Sequence, residues 1–282
     1  MSELNLSFRP ELRRPVLVAA FRGWNDGGQG ASRFAEIDPE SFYDFQATRP
    51  QVSLEEGMTR KLDWPDNGFF HAEIPGTGRD AVILLGTEPN LRWRSFSELV
   101  LGLAKDFDVE RVVTFGSLLA DVPHTRPAPV TAAATDETLM SELGLEPSRY
   151  EGPTGIVGVL LDACRRAEIS SLSLWAAVPH YVSLAPSPRA ALALVRRFGE
   201  LMQIDVDLAE LQQAADDYSE QVSEAVSSDA DTAAYVEELE RRADSITDED
   251  DLPSGESLAA ELTRYLRERE RNGDDPPAAT GQ

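Results

Sequence analysis

The sequence predicts an α/β fold: a three-layer α/β/α domain around a mainly parallel sheet, followed by a C-terminal helical extension. Three observations carry this reading. Apolar runs without alternation recur at Val16–Ala20, Ala81–Leu85, Val109–Phe115 (with Arg111 inside) and Ser171–Val178, as in strands covered on both faces. Amphipathic helical patterns lie between them. Beyond about residue 203 the pattern is wholly helical.

Each element follows in turn. The run Val16–Ala20 leads into the glycine-rich stretch Phe21–Gly30, and Ala31–Glu36 is expected to open a helix, which would make a strand–turn–helix unit. Shorter, more alternating runs at Val52–Glu56 and Phe69–Ile74 read as antiparallel additions. Trp93–Phe107 sets Phe96, Leu99, Val100 and Leu103 on one helical face. Gly155–Ala167 does the same with Ile156, Val159, Leu160 and Ala163, behind Pro153 and Thr154 as start signals. Pro188–Met202 reads as a helix. So do Leu208–Val226, striped by Leu208, Leu211, Ala215, Tyr218 and Val222, and Asp231–Ala243, with Tyr235, Val236 and Leu239. Ile246–Pro253 is expected to be an acidic linker. A last helix is expected at Ser254–Arg271, with Ser254 and Ser257 as rival N-caps and Leu258, Leu262, Tyr265 and Leu266 as its stripe. The resulting division is a core over 1–203, an acidic helical extension over 204–271 and a disordered tail over 272–282.

Charge narrows the partners. The formal net charge is -24, and residues 201–282 hold 23 acids against 6 bases. A polyanion repels nucleic acid and anionic lipid, so neither is expected. The plain reading of the acidic surface is solubility; the sharper one is a face for a basic partner. No apolar run approaches the ~20 residues that span a bilayer. Met1-Ser2-Glu3-Leu4 does not begin a signal peptide, so a cytoplasmic protein is expected. Cys164 is the only cysteine, which excludes an internal disulfide.

The chemistry on offer sits in four loops. Trp24-Asn25-Asp26-Gly27-Gly28 follows the first strand. Its glycines would let backbone amides face a ligand, while Asn25 or Asp26 could instead cap a helix. No GxGxxG follows that strand and no GxxxxGK[ST] occurs. Glu88, Arg92 and Trp93 follow the strand Val82–Leu85. A carboxylate beside a guanidinium can orient a substrate or form an ion pair, and the indole offers a stacking face or core packing. Ser117 is not in a G-x-S-x-G elbow. His124, flanked by Pro123 and Arg126, occupies a loop where a base could sit. His180 and Tyr181 follow the last strand. All these loops leave carboxyl ends of strands, so Trp24, Asn25, Asp26, Glu88, Arg92, Trp93, His124, His180 and Tyr181 form the candidate cleft. No H-E-x-x-H or H-x-x-E-H spacing occurs, so no metal site is expected. No cofactor is indicated, catalytic residues stay unassigned, and His71 reads as structural.

Five motifs carry a resemblance: Phe21-Arg22-Gly23-Trp24-Asn25-Asp26-Gly27-Gly28, Gly86-Thr87-Glu88-Pro89-Asn90-Leu91-Arg92-Trp93, Pro123-His124-Thr125-Arg126-Pro127, Tyr150-Glu151-Gly152-Pro153-Thr154-Gly155 and Pro179-His180-Tyr181. Together they resemble the actinobacterial branch of the proteasome assembly chaperone 2 family, over roughly residues 15–270. The resemblance implies a core similar to nucleoside phosphorylases, a helical C-terminal extension and a homo-oligomer, with a trimer as one outcome. Eukaryotic relatives help assemble proteasome α-rings, so proteasome subunits are the implied protein partner and a non-enzymatic binding role is the implied function. The alternative from the residues is an enzyme or small-ligand binder that uses the cleft. Such chaperones often dock through a C-terminal hydrophobic-tyrosine-any tripeptide. The sequence here ends Thr280-Gly281-Gln282, so docking by that route is not expected.

Overall fold

The computed structural model describes residues 3–22, 31–55, 59–74, 76–135, 137–142, 152–182 and 186–248. Its elements run β1 (Leu4–Leu6), β2 (Val16–Arg22), β3 (Ser32–Ile37), β4 (Gln51–Glu55), β5 (Thr59–Asp63), β6 (Asn67–Ile74), β7 (Arg79–Thr87), α1 (Trp93–Asp106), β8 (Arg111–Ala120), β9 (Val130–Ala134), α2 (Glu137–Glu142), α3 (Ile156–Arg166), β10 (Ser171–Pro179), α4 (Pro188–Met202), α5 (Ala209–Ser227) and α6 (Ala230–Asp248). Eight strands form one sheet in the order β1-β3-β6-β7-β2-β8-β10-β9. The central four, β7-β2-β8-β10, are parallel; β6, β3 and β1 continue antiparallel on one side and β9 closes the other. Five of the eight strands thus point the same way. The fold is a mixed, mostly parallel α/β sheet, as the apolar runs predict.

Unbroken apolarity in β2 has a direct cause. Leu17, Ala19 and Phe21 face a core completed by α1 and α3, with Phe96, Val100, Leu103, Ile156 and Leu160. Val16 and Val18 face the opposite core, which Ala190, Leu194 and Phe198 of α4 complete with Leu172, Leu174 and Ala176 of β10. Side chains alternate across a strand, so a strand sandwiched between helices must be apolar at every position. The start of α4 follows its predicted boundary. Pro188 occupies the first turn and Ser187 Oγ accepts from the Ala190 N–H at 3.3 Å. Outside α4 lies α5, and α6 packs on α5. Their buried residues, Ala215, Tyr218, Val222, Val236 and Leu239, belong to the expected stripes.

Three expectations change. Ala31–Glu36 does not open a helix: β3 pairs antiparallel with β6, with a register shift between Arg33 and Ala35. Ala, Arg and Glu favour a helix locally, but Phe34 and Ile37 are buried only in the sheet, and tertiary packing overrides propensity. The Val52 run does form a strand, yet β4 pairs only with β5, as a ribbon separate from the main sheet. The start of the expected acidic linker, 246–248, is helical instead, because α6 continues to Asp248. Glu238 supports it by pairing with both Arg241 and Arg242. The expected helix Ser254–Arg271 and the tail 272–282 lie outside the described residues.

Candidate functional site

Parallel pairing places the carboxyl ends of β7, β2, β8 and β10 on one rim of the sheet. The registers show it: Arg22 lies beside Thr87, and Pro179 beside Ala120. Trp24, Asn25 and Asp26, which follow β2, lie outside the described residues. The other six candidate residues are on this rim, in two groups.

At the β7 end each candidate side chain holds a neighbouring element in place. Glu88 Oε1 accepts the Ile156 N–H at 2.7 Å. Gly155, at the N-cap of α3, has no side chain to do this, and a Cβ there would lie 2.7 Å from that same oxygen. Glu88 therefore caps α3 from another strand and sets a carboxylate at the positive end of the helix. Glu88→Ala is expected to lower stability by about 1 kcal/mol, with Glu88→Gln retaining part of that because its amide oxygen still accepts. Urea titration of the three proteins checks the order. Arg92 pairs with Glu3 and lies over the Phe42 ring, 5.4 Å from its centroid. Trp93 packs against the core and donates its indole N–H to the Pro89 carbonyl. The indole thus offers packing instead of an open stacking face. Gly86, in the same motif, lets β6 approach: a Cβ there would sit 2.3 Å from the Asp66 carbonyl oxygen. Asn67 is buried behind it and donates to the Thr87 carbonyl at 3.2 Å.

At the β8–β10 end, His124, His180 and Tyr181 are brought together. The Tyr181 hydroxyl oxygen lies 2.8 Å from both the backbone N and Nδ1 of His124. His124 Nε2 lies 3.0 Å from Ser223 Oγ of α5. Either neutral tautomer satisfies all three contacts: the Tyr181 oxygen accepts the His124 backbone N–H, Tyr181 O–H donates to Nδ1 or Nδ1–H donates to Tyr181, and Nε2 correspondingly donates to Ser223 or accepts from it. The surroundings of the ring favour the neutral imidazole. Burial, with the Arg189 charge, lowers the His124 pKa against a smaller opposing effect of Glu240. Burial pushes the Tyr181 phenol up to about 12, so its proton stays. His180 Nδ1 lies 2.9 Å from Asp121 Oδ1, which also accepts from the Tyr235 hydroxyl of α6 at 2.9 Å. The rings of His180, Tyr181 and Tyr235 meet edge to face at 5.6–6.1 Å between centroids.

Helices α5 and α6 close over this group. Arg126 forms a two-pronged pair with Asp244 at 2.7 and 2.8 Å, and Thr125 donates to Glu240. Arg189 donates to Ser219 at 2.8 Å and to the Arg126 carbonyl. The crevice left between Val122, His124, Arg189 and Tyr218 has room for about one water molecule. Among the described residues, no three His, Cys, Asp or Glu side chains converge as metal ligands would. Sequence reasoning missed the partners Asp121, Arg189, Ser223, Tyr235 and Glu240. Tyr235 is a member of an apolar stripe that has to cover something, but the sequence does not say which surface.

Residues 28–226 match the model of the PAC2 family. This span is narrower than the one suggested by the motifs, and α6 lies beyond it. A PAC2 family protein from Streptomyces avermitilis is similar to this chain at 43% identity and TM-score 0.71, covering 79% of this chain and 99% of the other. A proteasome-assembly chaperone homologue from Mycobacterium tuberculosis is similar at 43% identity and TM-score 0.68, covering 78% and 99%. A second Mycobacterium tuberculosis protein, of unknown function, reaches TM-score 0.79 at 25% identity, covering 93% and 96%. No curated protein matches. No described helix is long and apolar enough to cross a membrane. With 199 consecutive residues matched to the family model and two homologues at 43% identity, the chain belongs to the PAC2 family.

Proposed function

We propose that this chain is a non-enzymatic, chaperone-like binding protein that associates with itself and with protein partners such as proteasome subunits. The core over 1–203 then acts as the platform and the extension from 204 as a clamp across its rim. The rim residues of the candidate cleft serve to fix that clamp and present a surface to a partner.

One observation carries this reading. Both ring nitrogens of His124 are engaged, one with Tyr181 and the other with Ser223 of α5, and among the described residues the crevice beside His124 has room for about one water. A general base needs a reachable proton on a substrate, and a small-molecule site needs a few hundred Å³. The family membership points the same way, since a similar protein is described as a proteasome-assembly chaperone homologue.

Two measurements test it. Purified proteasome α-subunits mixed with the full chain are expected to form a complex that co-sediments; failure to do so across a wide concentration range overturns the partner. A thermal-shift screen with nucleosides, nucleotides and acidic metabolites is expected to be flat. A shift that vanishes in His180→Ala would instead favour a small-ligand site.

A further inference from the structure

We infer that the apolar face of the β4–β5 ribbon is where one copy of this chain docks on another. The inference rests on the self-association proposed above and assigns it a surface.

The ribbon is a two-stranded sheet on its own, not hydrogen-bonded to the main one. An isolated two-stranded ribbon is marginal in water. Val52 and Leu54 of β4 and Leu62 of β5 nonetheless alternate with polar residues, with Arg60 the exception. Val52 pairs directly with Leu62, so Val52, Leu54, Leu62 and, just past the strand, Trp64 share one face. These side chains are 58%, 64%, 54% and 47% exposed. The other face carries Gln51, Ser53, Lys61 and Asp63, with Ser53 and Lys61 both bonded to Asp63. This is the pattern of a strand pair with one face against a solid surface. Among the described residues the apolar face meets little: Trp64 touches the Phe45 ring edge-on at 5.0 Å.

Charge selects the occupant. The chain carries -24, but residues 49–64 are neutral: Arg49, Arg60 and Lys61 balance Glu55, Glu56 and Asp63. Among the described residues of the ribbon, Arg60, opposite Leu54, is the charge on the apolar face. A basic partner would be drawn to the acid-rich helices and not to this ribbon. A second copy is repelled by the acidic surface at large and can approach only where that surface is neutral and apolar. Arg60 then meets a chain rich in carboxylates. The four side chains offer roughly 400 Å², about half of the ~800 Å² each partner covers in a stable interface. The ribbon therefore forms the centre of the contact and residues around it form the rim.

Sedimentation velocity of the full chain over a concentration series tests this. The native sequence is expected to self-associate, and Leu54→Asp and Leu62→Asp are each expected to weaken that at least tenfold. Ser53→Gln, neutral and on the polar face, should leave it unchanged. All three sites are exposed, so melting temperatures should match the native one and show that the fold is intact. Raising salt should tighten the association, because it screens repulsion between like-charged copies; weakening in salt would overturn the charge argument. If the native chain associates and both Asp variants associate equally well, the ribbon assignment falls while self-association stands. If the native chain is monomeric throughout, both fall.

Discussion

Truncation of Phe34 to alanine is expected to cost about 3–5 kcal/mol of stability, the range for a fully buried aromatic ring. Phe34 is 0% exposed. Its ring lies edge-on to Phe107 at 5.4 Å and to His71 at 6.1 Å, and tilted against Phe69 at 6.3 Å. These contacts come from β6 and from the end of α1, so the ring joins the antiparallel half of the sheet to the helical layer. The loss should appear as a lower urea midpoint with an unchanged slope, since the surface exposed on unfolding is nearly the same. Amide exchange should speed up first in β3, β1 and β6, the strands that depend on that ring. A cost under about 1 kcal/mol would mean that Ser32–Ile37 does not sit in the sheet as described.

That experiment bears on the element the sequence misplaces. The central strands are legible because two-sided burial leaves no room for a polar position: Leu17 and Val18 must both be apolar, each for its own helix layer. The helices are legible because one face of each is buried at three- and four-residue spacing. Residues 31–37 are different. Ala-Ser-Arg-Phe-Ala-Glu-Ile contains good helix formers, and its strand state depends on pairing with β6, some thirty residues away. No local pattern encodes that pairing. β1, β5 and β9 escape for the same reason: they are short and stand at an edge or in a ribbon.

The site was legible to a similar depth. Parallel order fixes which loops share a rim, and on that rim His124, His180 and Tyr181 lie together. It does not say what covers them. Glu88 illustrates the limit. Its place at a strand end is readable, but its use as a cap for α3 depends on Gly155 arriving from 67 residues away. A charged residue at the carboxyl edge of a sheet looks the same in sequence whether it faces a ligand or a helix end.

His124 carries the other large effect. His124→Leu is expected to lower stability by about 1–3 kcal/mol, because it leaves the half-buried Tyr181 hydroxyl without its Nδ1 partner and removes the contact with Ser223 of α5. The wild-type protein should also lose stability as pH falls, with the sign fixed by burial. His124 has its folded pKa below the ordinary 6.5. Above 6.5 the ring is neutral in both states and the contact is fully stabilising. As pH falls below 6.5 the unfolded chain takes up the proton first, so stability declines until the folded pKa is passed. The groups facing the ring set the balance: Arg189 opposes the charge and Glu240 favours it, with Tyr181 and Ser223 as hydrogen-bond partners. Denaturation of both proteins across pH 5–8 isolates the effect, since the variant lacks this slope while keeping the other two histidines. Exchange of α5 amides should rise in acid in the wild type before that of the central strands, as the helix lifts from the rim. If His124→Leu shows the wild-type pH slope, the His124–Ser223 contact does not hold α5 to the rim.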